Sequence, residues 1–221
     1  MTQPINQSIT RNKQMRCKAP GCTNPRYNLS AHCRAHFKNA YLYGDPLGRS
    51  IPRREYRREY EEASELIKAN LTHPATETAT EFIQKWLDAC SMGKACVAAS
   101  EMSRLAQGGV TSVQVLIEAT ALYLYSQRHP KSLPDDDRLS YQMANAVFRL
   151  APQASYVSYV GKRAYRRASG AARRATGKRL RDALGLYFVN VHSAIRRKEE
   201  AEQGMRERLW TPLHTRATNN H

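Results

Sequence analysis

Apolar residues recur at spacings of three and four along most of the chain, which predicts helices. In "TETATEFIQKWLDAC", Phe82, Ile83, Trp86, Leu87 and Cys90 fall on one face. "KACVAASEMSRLAQ" follows as a shorter helix, stopped by Gly108–Gly109. "TSVQVLIEATALYLYSQ" is the most apolar stretch, with a face of Val113, Leu116, Ile117, Thr120 and Leu124. Asp135–Asp137 resembles the acidic start of a helix running into "RLSYQMANAVFRL" and stopping at "APQ". Residues 52–69 read as an earlier helix with Pro52 near its first turn, broken by "NLTHPAT". From Tyr156 onward the pattern suggests two helices with a loose joint around Gly170 to Gly177. The second carries a stripe of Leu180, Leu184, Tyr187, Phe188, Val191 and Ile195. No run alternates convincingly with period two, and no tandem repeat is sustained.

The expected fold class is therefore mainly α, a small N-terminal module joined to an all-helical domain. The expected divisions are a disordered arm over 1–14, a Cys/His module over 15–48 and a basic linker helix over 49–72. A helical domain over 73–210, with a basic segment at 161–181, and a disordered tail over 211–221 complete them. No stretch of about 18 uncharged apolar residues exists, so no membrane partner is expected. The polar N-terminus lacks the apolar core of a signal peptide. With an odd count of five cysteines, this points to a reducing cytoplasm and to metal binding rather than disulfides.

Charge changes the picture further. The net charge is +16, unevenly spread. Residues 1–60 carry 12 basic and 3 acidic side chains, whereas 61–137 carry 6 and 11. Residues 138–181 carry 11 basic and no acidic side chain. Two basic blocks flanking an acidic middle favour a polyanion, most often nucleic acid, through counterion release.

The densest chemistry lies in "CKAPGCTNPRYNLSAHCRAH". Cys17, Cys22, Cys33 and His36 form a C-x4-C-x10-C-x2-H pattern. Zinc takes four such ligands in a tetrahedron, and two close pairs joined by a loop meet that need. Pro20 and Gly21 let the chain fold back between the first two, and Cys33 and His36 sit on one side of a helical turn. His32 is the alternative fourth ligand, from a poorer position. Four protein ligands leave no open position for water, so the expected cofactor is a structural Zn2+ that lets a short segment fold.

"CKAPGC", then "LSAHCRAHFKNAYLYGDPLG", resembles a short cysteine/histidine module of phage and mobile-element proteins, often found ahead of HNH-type homing endonuclease domains. Cys17, Gly21, Cys22, Cys33, His36, Gly44, Asp45 and Pro46 match it. A glycine usual before the third ligand is absent here. The resemblance covers about 32 residues and implies a zinc-binding nucleic-acid module. It carries no activity to the remaining chain.

An HNH site needs clustered histidines and an asparagine around a divalent ion. His73, His129, His192, His214 and His221 are scattered. "GAARRATGKR" has six residues between its glycines where a phosphate loop has four, and Arg179 where a magnesium-binding hydroxyl belongs. The expectation is a non-enzymatic protein, with a metal-dependent nuclease as the alternative if the metal site is open. "SEMSRLAQGGVTSVQVLIEA" has the length of a helix-turn-helix, but its second helix is too apolar for recognition.

Candidate phosphate contacts follow from the basic blocks. Arg49, Arg53, Arg54, Arg57 and Arg58 form the first, opposed by Glu55, Glu59, Glu61 and Glu62 at helical spacing. Lys162, Arg163, Arg166, Arg167, Arg173, Arg174, Lys178, Arg179 and Arg181 form the second, which no local acid neutralises. Glycines should loosen this second segment until a polyanion orders it. Tyr156, Tyr159 and Tyr165 either stack on bases or pack in the core. The expected partner is nucleic acid, DNA ahead of RNA, in a role such as transcription or replication control. An RNA-binding role, or a scaffold whose acidic middle docks a protein, is the alternative.

Overall fold

The face expected on Thr76–Cys90 is the buried face of α4 (Pro74–Ser91): Ile83, Trp86, Leu87 and Cys90 are buried and Phe82 packs against them. The computed structural model describes residues 3–93, 98–152, 155–157, 161, 163–165 and 168–217, with side chains over 5–93, 98–152 and 168–206. Within these, the fold is mainly α. In chain order come α1 (Gln3–Lys13), α2 (Arg34–Tyr43), a 3-10 turn at Arg53–Glu55, α3 (Arg57–Ala69), α4, α5 (Ala99–Gln107), α6 (Ser112–Arg128) and α7 (Asp136–Phe148). A two-stranded antiparallel hairpin, β1 (Ser155–Val157) with β2 (Arg163–Tyr165), then leads to α8 (Gly170–Ala217).

Helix α6 is the axis. Val115 to Leu122 are buried without interruption, as a helix apolar on all sides must be, and α3, α4, α7 and α8 pack around it. A capping box starts it, in which Thr111 Oγ1 accepts from the Gln114 amide at 3.2 Å and Gln114 returns a bond to the Thr111 amide at 2.9 Å. A helix so enclosed cannot enter a groove, which agrees with the exclusion of a helix-turn-helix. Asp135 caps α7 by accepting from the Arg138 amide at 2.7 Å, as its acidic start implied. Leu180, Leu184, Phe188, Val191 and Ile195 of α8 are buried in the same core.

Four expectations give way. The supposed linker helix belongs to the core, because Tyr56, Ala63 and Ile67 are at most 1% exposed within it. Its few apolar positions sit at helical spacing between charged residues. The supposed arm is helix α1, whose end is tied down by Asn12: its side-chain amide donates to the Asn28 and Ser30 carbonyls at 2.7 and 2.8 Å. The first of the two C-terminal helices is the β1–β2 hairpin instead, in a stretch rich in Tyr and Val. The loose joint is absent, since α8 starts at Gly170, runs without a break through Gly177 and continues to Ala217, past the expected start of a tail.

Gly177 explains why. A Cβ placed there would lie 1.8 Å from the Ser140 carbonyl oxygen of α7. The glycine permits close approach of two helices rather than flexibility.

Candidate metal centre and basic surface

Residues 15–26 fold back on themselves. The Cys17 amide donates to the Asn24 carbonyl at 2.9 Å and the Arg26 amide to the Met15 carbonyl at 3.0 Å. The turn closes where the Cys22 amide donates to Ala19 at 3.1 Å. Cys33 is the N-cap residue of α2, so His36 stands on its first turn facing the same way. These local features bring Cys17, Cys22, Cys33 and His36 together, with their ligand atoms all within 4.8 Å of one another.

The edges of this cluster suit a tetrahedral ion. Zinc–sulfur bonds of about 2.3 Å and zinc–nitrogen bonds of about 2.05 Å require edges of about 3.8 Å (S···S) and about 3.6 Å (S···N). Cys22 and Cys33 sulfurs are 3.9 Å apart, and His36 Nδ1 lies 3.4 Å from the sulfurs of both Cys17 and Cys33. His32 Nδ1 is 4.0 Å from Cys17 and stands outside the four-group cluster. Cys17 and Cys33 are buried, and the four described cysteines form no disulfide.

Electrostatics favours a charged sulfur at Cys17. Burial raises its pKa, but the Ala19 and Cys33 amides and the rings of His36 and His32 outweigh it and bring the thiol down to about 5. At Cys22 the Asn24 amide lowers the pKa, yet burial and the adjacent Cys17 and Cys33 sulfurs raise it on balance. Four cross-placed ligands can therefore hold a metal ion.

The "YGDPLG" segment docks this module onto the helical body. Gly44 ends α2 at φ +76°, and a Cβ there would meet the Tyr141 ring at 2.8 Å. Asp45 is buried, accepts from the Leu47 amide at 3.1 Å and pairs with Arg138 of α7 at 3.2 Å. Asn145 of α7 donates to the Leu42 carbonyl at 3.2 Å. Gly170, the first residue of α8, lies so close that a Cβ would reach the Tyr41 carbonyl at 2.7 Å.

The first basic block is largely occupied within the chain. Arg49 makes two bonds to Glu55 at 2.6 and 2.7 Å. Arg53 lies over the Tyr60 ring and donates to buried Glu118 at 2.5 Å. Arg57 pairs with Glu61, and Arg58 with Glu62 and Glu199. Arg128 bridges Glu59, Glu62 and Glu199, tying α3, α6 and α8. Arg54 is exposed.

The second block divides. Arg173 is buried and donates to Asn145 and to the Ala168 carbonyl, both at 2.5 Å. Arg181 holds the start of α7 through Asp136 and Ser140. Arg179 covers the Trp86 ring at 4.7 Å. Arg174 and Lys178, one turn apart, face solvent, with Arg174 3.8 Å from Asp137. Arg163 lies on β2, while Lys162, Arg166 and Arg167 fall outside the described residues.

One basic surface escaped sequence reasoning. Residues 1–44 hold seven basic side chains and no acidic one. Arg34, Phe37, Lys38 and Tyr41 are exposed at i, i+3, i+4 and i+7 along α2, away from the ligands. The absence of acids before Asp45 was the available signal.

His73, His129 and His192 serve packing and capping. His73 accepts from the Ala75 amide, His129 packs tilted against the Tyr125 ring at 4.5 Å, and His192 meets the Tyr123 ring edge. Among the described residues no helix is long and apolar enough to cross a membrane. No family model, curated protein or solved structure matches this chain.

Proposed function

We propose that this protein is a non-enzymatic nucleic-acid-binding protein whose N-terminal module is held by a structural zinc ion. The observation that carries the proposal is the contact of Tyr41 with Gly170. It brings the acid-free segment 1–44 against the start of α8, the helix that carries Arg174 and Lys178, and we take the cations of the two helices as one surface. The α2 cations have no acid in their own segment, Arg174 has only an exposed contact with Asp137 at 3.8 Å, and a phosphate backbone supplies further negative charge. The β1–β2 hairpin enters α8 with Arg163 on its second strand and Arg166 and Arg167 following in sequence, extending the positive stretch.

Zinc fits the donor set of three thiolates and one imidazole, and four protein ligands fill its tetrahedron. The metal would then order the fold of residues 15–36 and set the angle of α2, with no position left for catalysis. Free cysteines suit a reducing compartment such as cytoplasm. DNA stands ahead of RNA because the module resembles that of phage and mobile-element proteins that act on DNA. Most of the first basic block contributes less, because its arginines already hold carboxylates.

The test is binding of zinc-loaded variants to labelled DNA. Lys38→Glu and Arg174→Glu each weaken binding at least tenfold, although they lie on different helices. Arg57→Ala, which removes one side of an internal pair, changes affinity less than threefold. Equal losses at all three positions would contradict the shared surface.

A further inference from the structure

The face of α2 that carries Arg34 and Lys38 also exposes two aromatic rings. Phe37 is 43% and Tyr41 47% exposed, whereas most large apolar side chains of this chain are buried. The Phe37 ring stands 5.7 Å from the half-buried ring of Tyr27, over which Arg34 lies at 6.0 Å. Leu29 adds a further exposed apolar group in the same module. Cations therefore alternate with flat rings along one helical face, within a segment that has no acidic residue.

Resting on the nucleic-acid reading above, we infer that this face is a stacking site for unpaired bases, and that the ligand is single-stranded nucleic acid. Arg34 and Lys38 sit one turn apart beside the rings, where they neutralise the phosphates of a strand whose bases lie on Phe37 and Tyr41. Stacking accepts any base, because every base offers a π-face. A duplex hides those faces, and opening a base step to reach them costs on the order of a few kcal/mol. Unpaired bases reach the rings without that cost. A protein partner does not suit the face as well: Arg34 and Lys38 beside the rings, in a segment of seven cations without one acid, would have to be matched by a negatively charged surface.

The Tyr27 ring, tilted against Phe37 at 5.7 Å, holds the Phe37 ring while leaving much of it exposed. The close approach of Gly170 to Tyr41 does the same for the second ring. Both rings are thus positioned before a ligand arrives, which reduces the ordering cost of binding.

The experiment uses full-length zinc-loaded protein and fluorescein-labelled oligonucleotides of one sequence as single-stranded DNA, single-stranded RNA and duplex DNA. The single strands bind tighter than the duplex. Phe37→Ala weakens single-strand binding about 5- to 150-fold, the range for loss of one stacked base. Duplex affinity changes less than twofold. Phe37→Leu, which keeps apolar bulk without a π-face, falls close to Phe37→Ala, and Tyr41→Phe binds like the parent. Zinc content and melting temperature equal to the parent's exclude a folding defect. Duplex binding as tight as single-strand binding, or parental binding by Phe37→Leu, would overturn the inference while leaving nucleic-acid binding intact. Absence of binding to all three probes at low salt would remove both readings.

Discussion

Gly177 and Gly185 lie eight residues apart on α8, and the same substitution has opposite consequences at the two. A Cβ at Gly177 lies 1.8 Å from the Ser140 carbonyl oxygen and 2.3 Å from its carbon, both backbone atoms of α7. Ordinary contact begins near 3.4 Å, so α7 and α8 would have to separate by roughly 1.5 Å at this point, a distance that forfeits much of the local dispersion energy. Overpacking of this kind costs about 1–3 kcal/mol, and more where backbone must yield. Alanine returns up to about 1 kcal/mol through helix propensity. The net expectation for Gly177→Ala is a loss of about 1–2 kcal/mol, or a melting temperature lower by about 2–8 °C for a chain of this size. A Cβ at Gly185 meets nothing within 4 Å, so Gly185→Ala gains about 0.5–1 kcal/mol. Paired thermal and urea melts followed by circular dichroism read both. A Gly177→Ala protein as stable as the parent would mean that the two helices do not approach at Ser140, and Gly177 would revert to being a loose joint.

The metal centre separates two histidines: His36→Ala lowers bound zinc from about one to near zero per chain, whereas His32→Ala, outside the cluster, keeps it. Despite burial, the Ala19 and Cys33 amides and the His36 and His32 rings bring the Cys17 thiol down to about 5, so bound zinc is kept at neutral pH and falls as pH drops through about 5. The folded value lies below that of an ordinary thiol, so this charge stabilises the folded module at neutral pH. The contribution is lost as pH falls through about 5, and zinc release already complete near pH 7 would refute the assignment. Buried Glu118 accepts from both Arg53 and the Tyr56 hydroxyl at 2.5 Å. Glu118→Ala costs about 2–3 kcal/mol in urea melts, near the low end for a broken buried pair because half-exposed Arg53 rehydrates. A loss below about 0.5 kcal/mol would mean the network does not support the core.

Particular residues show what was readable before the structure. The buried stripes of α4, α6 and α8 recur every three or four residues, and each long helix buries them against the same core. Their periodicity alone therefore located them. The Cys/His cluster was readable because all four ligands come from twenty consecutive residues whose turns arise locally. Readings failed where a partner distant in sequence decides the role. Arg173 and Arg181 look like free cations beside their neighbours, yet Asn145 and Asp136 occupy them from α7. Gly177 looks like a helix breaker until Ser140 is placed against it. Tyr56 and Ile67 sit among charges that disguise them as surface, and only α6 shows them to be core. The α2 face hides for another reason: its signal is a missing acid rather than a run of arginine.

The central claim is one polyanion-binding surface built from α2 and the start of α8, and its salt dependence tests it most directly. Affinity of zinc-loaded protein for a labelled single strand is measured from 50 to 300 mM salt. Four exposed cations, Arg34, Lys38, Arg174 and Lys178, release about 0.7 counterion each, so log affinity against log salt falls with a slope of about −3. The double variant Lys38→Ala/Arg174→Ala reduces that slope to about −1.5. A slope near zero, or one that the double variant leaves unchanged, would contradict the account.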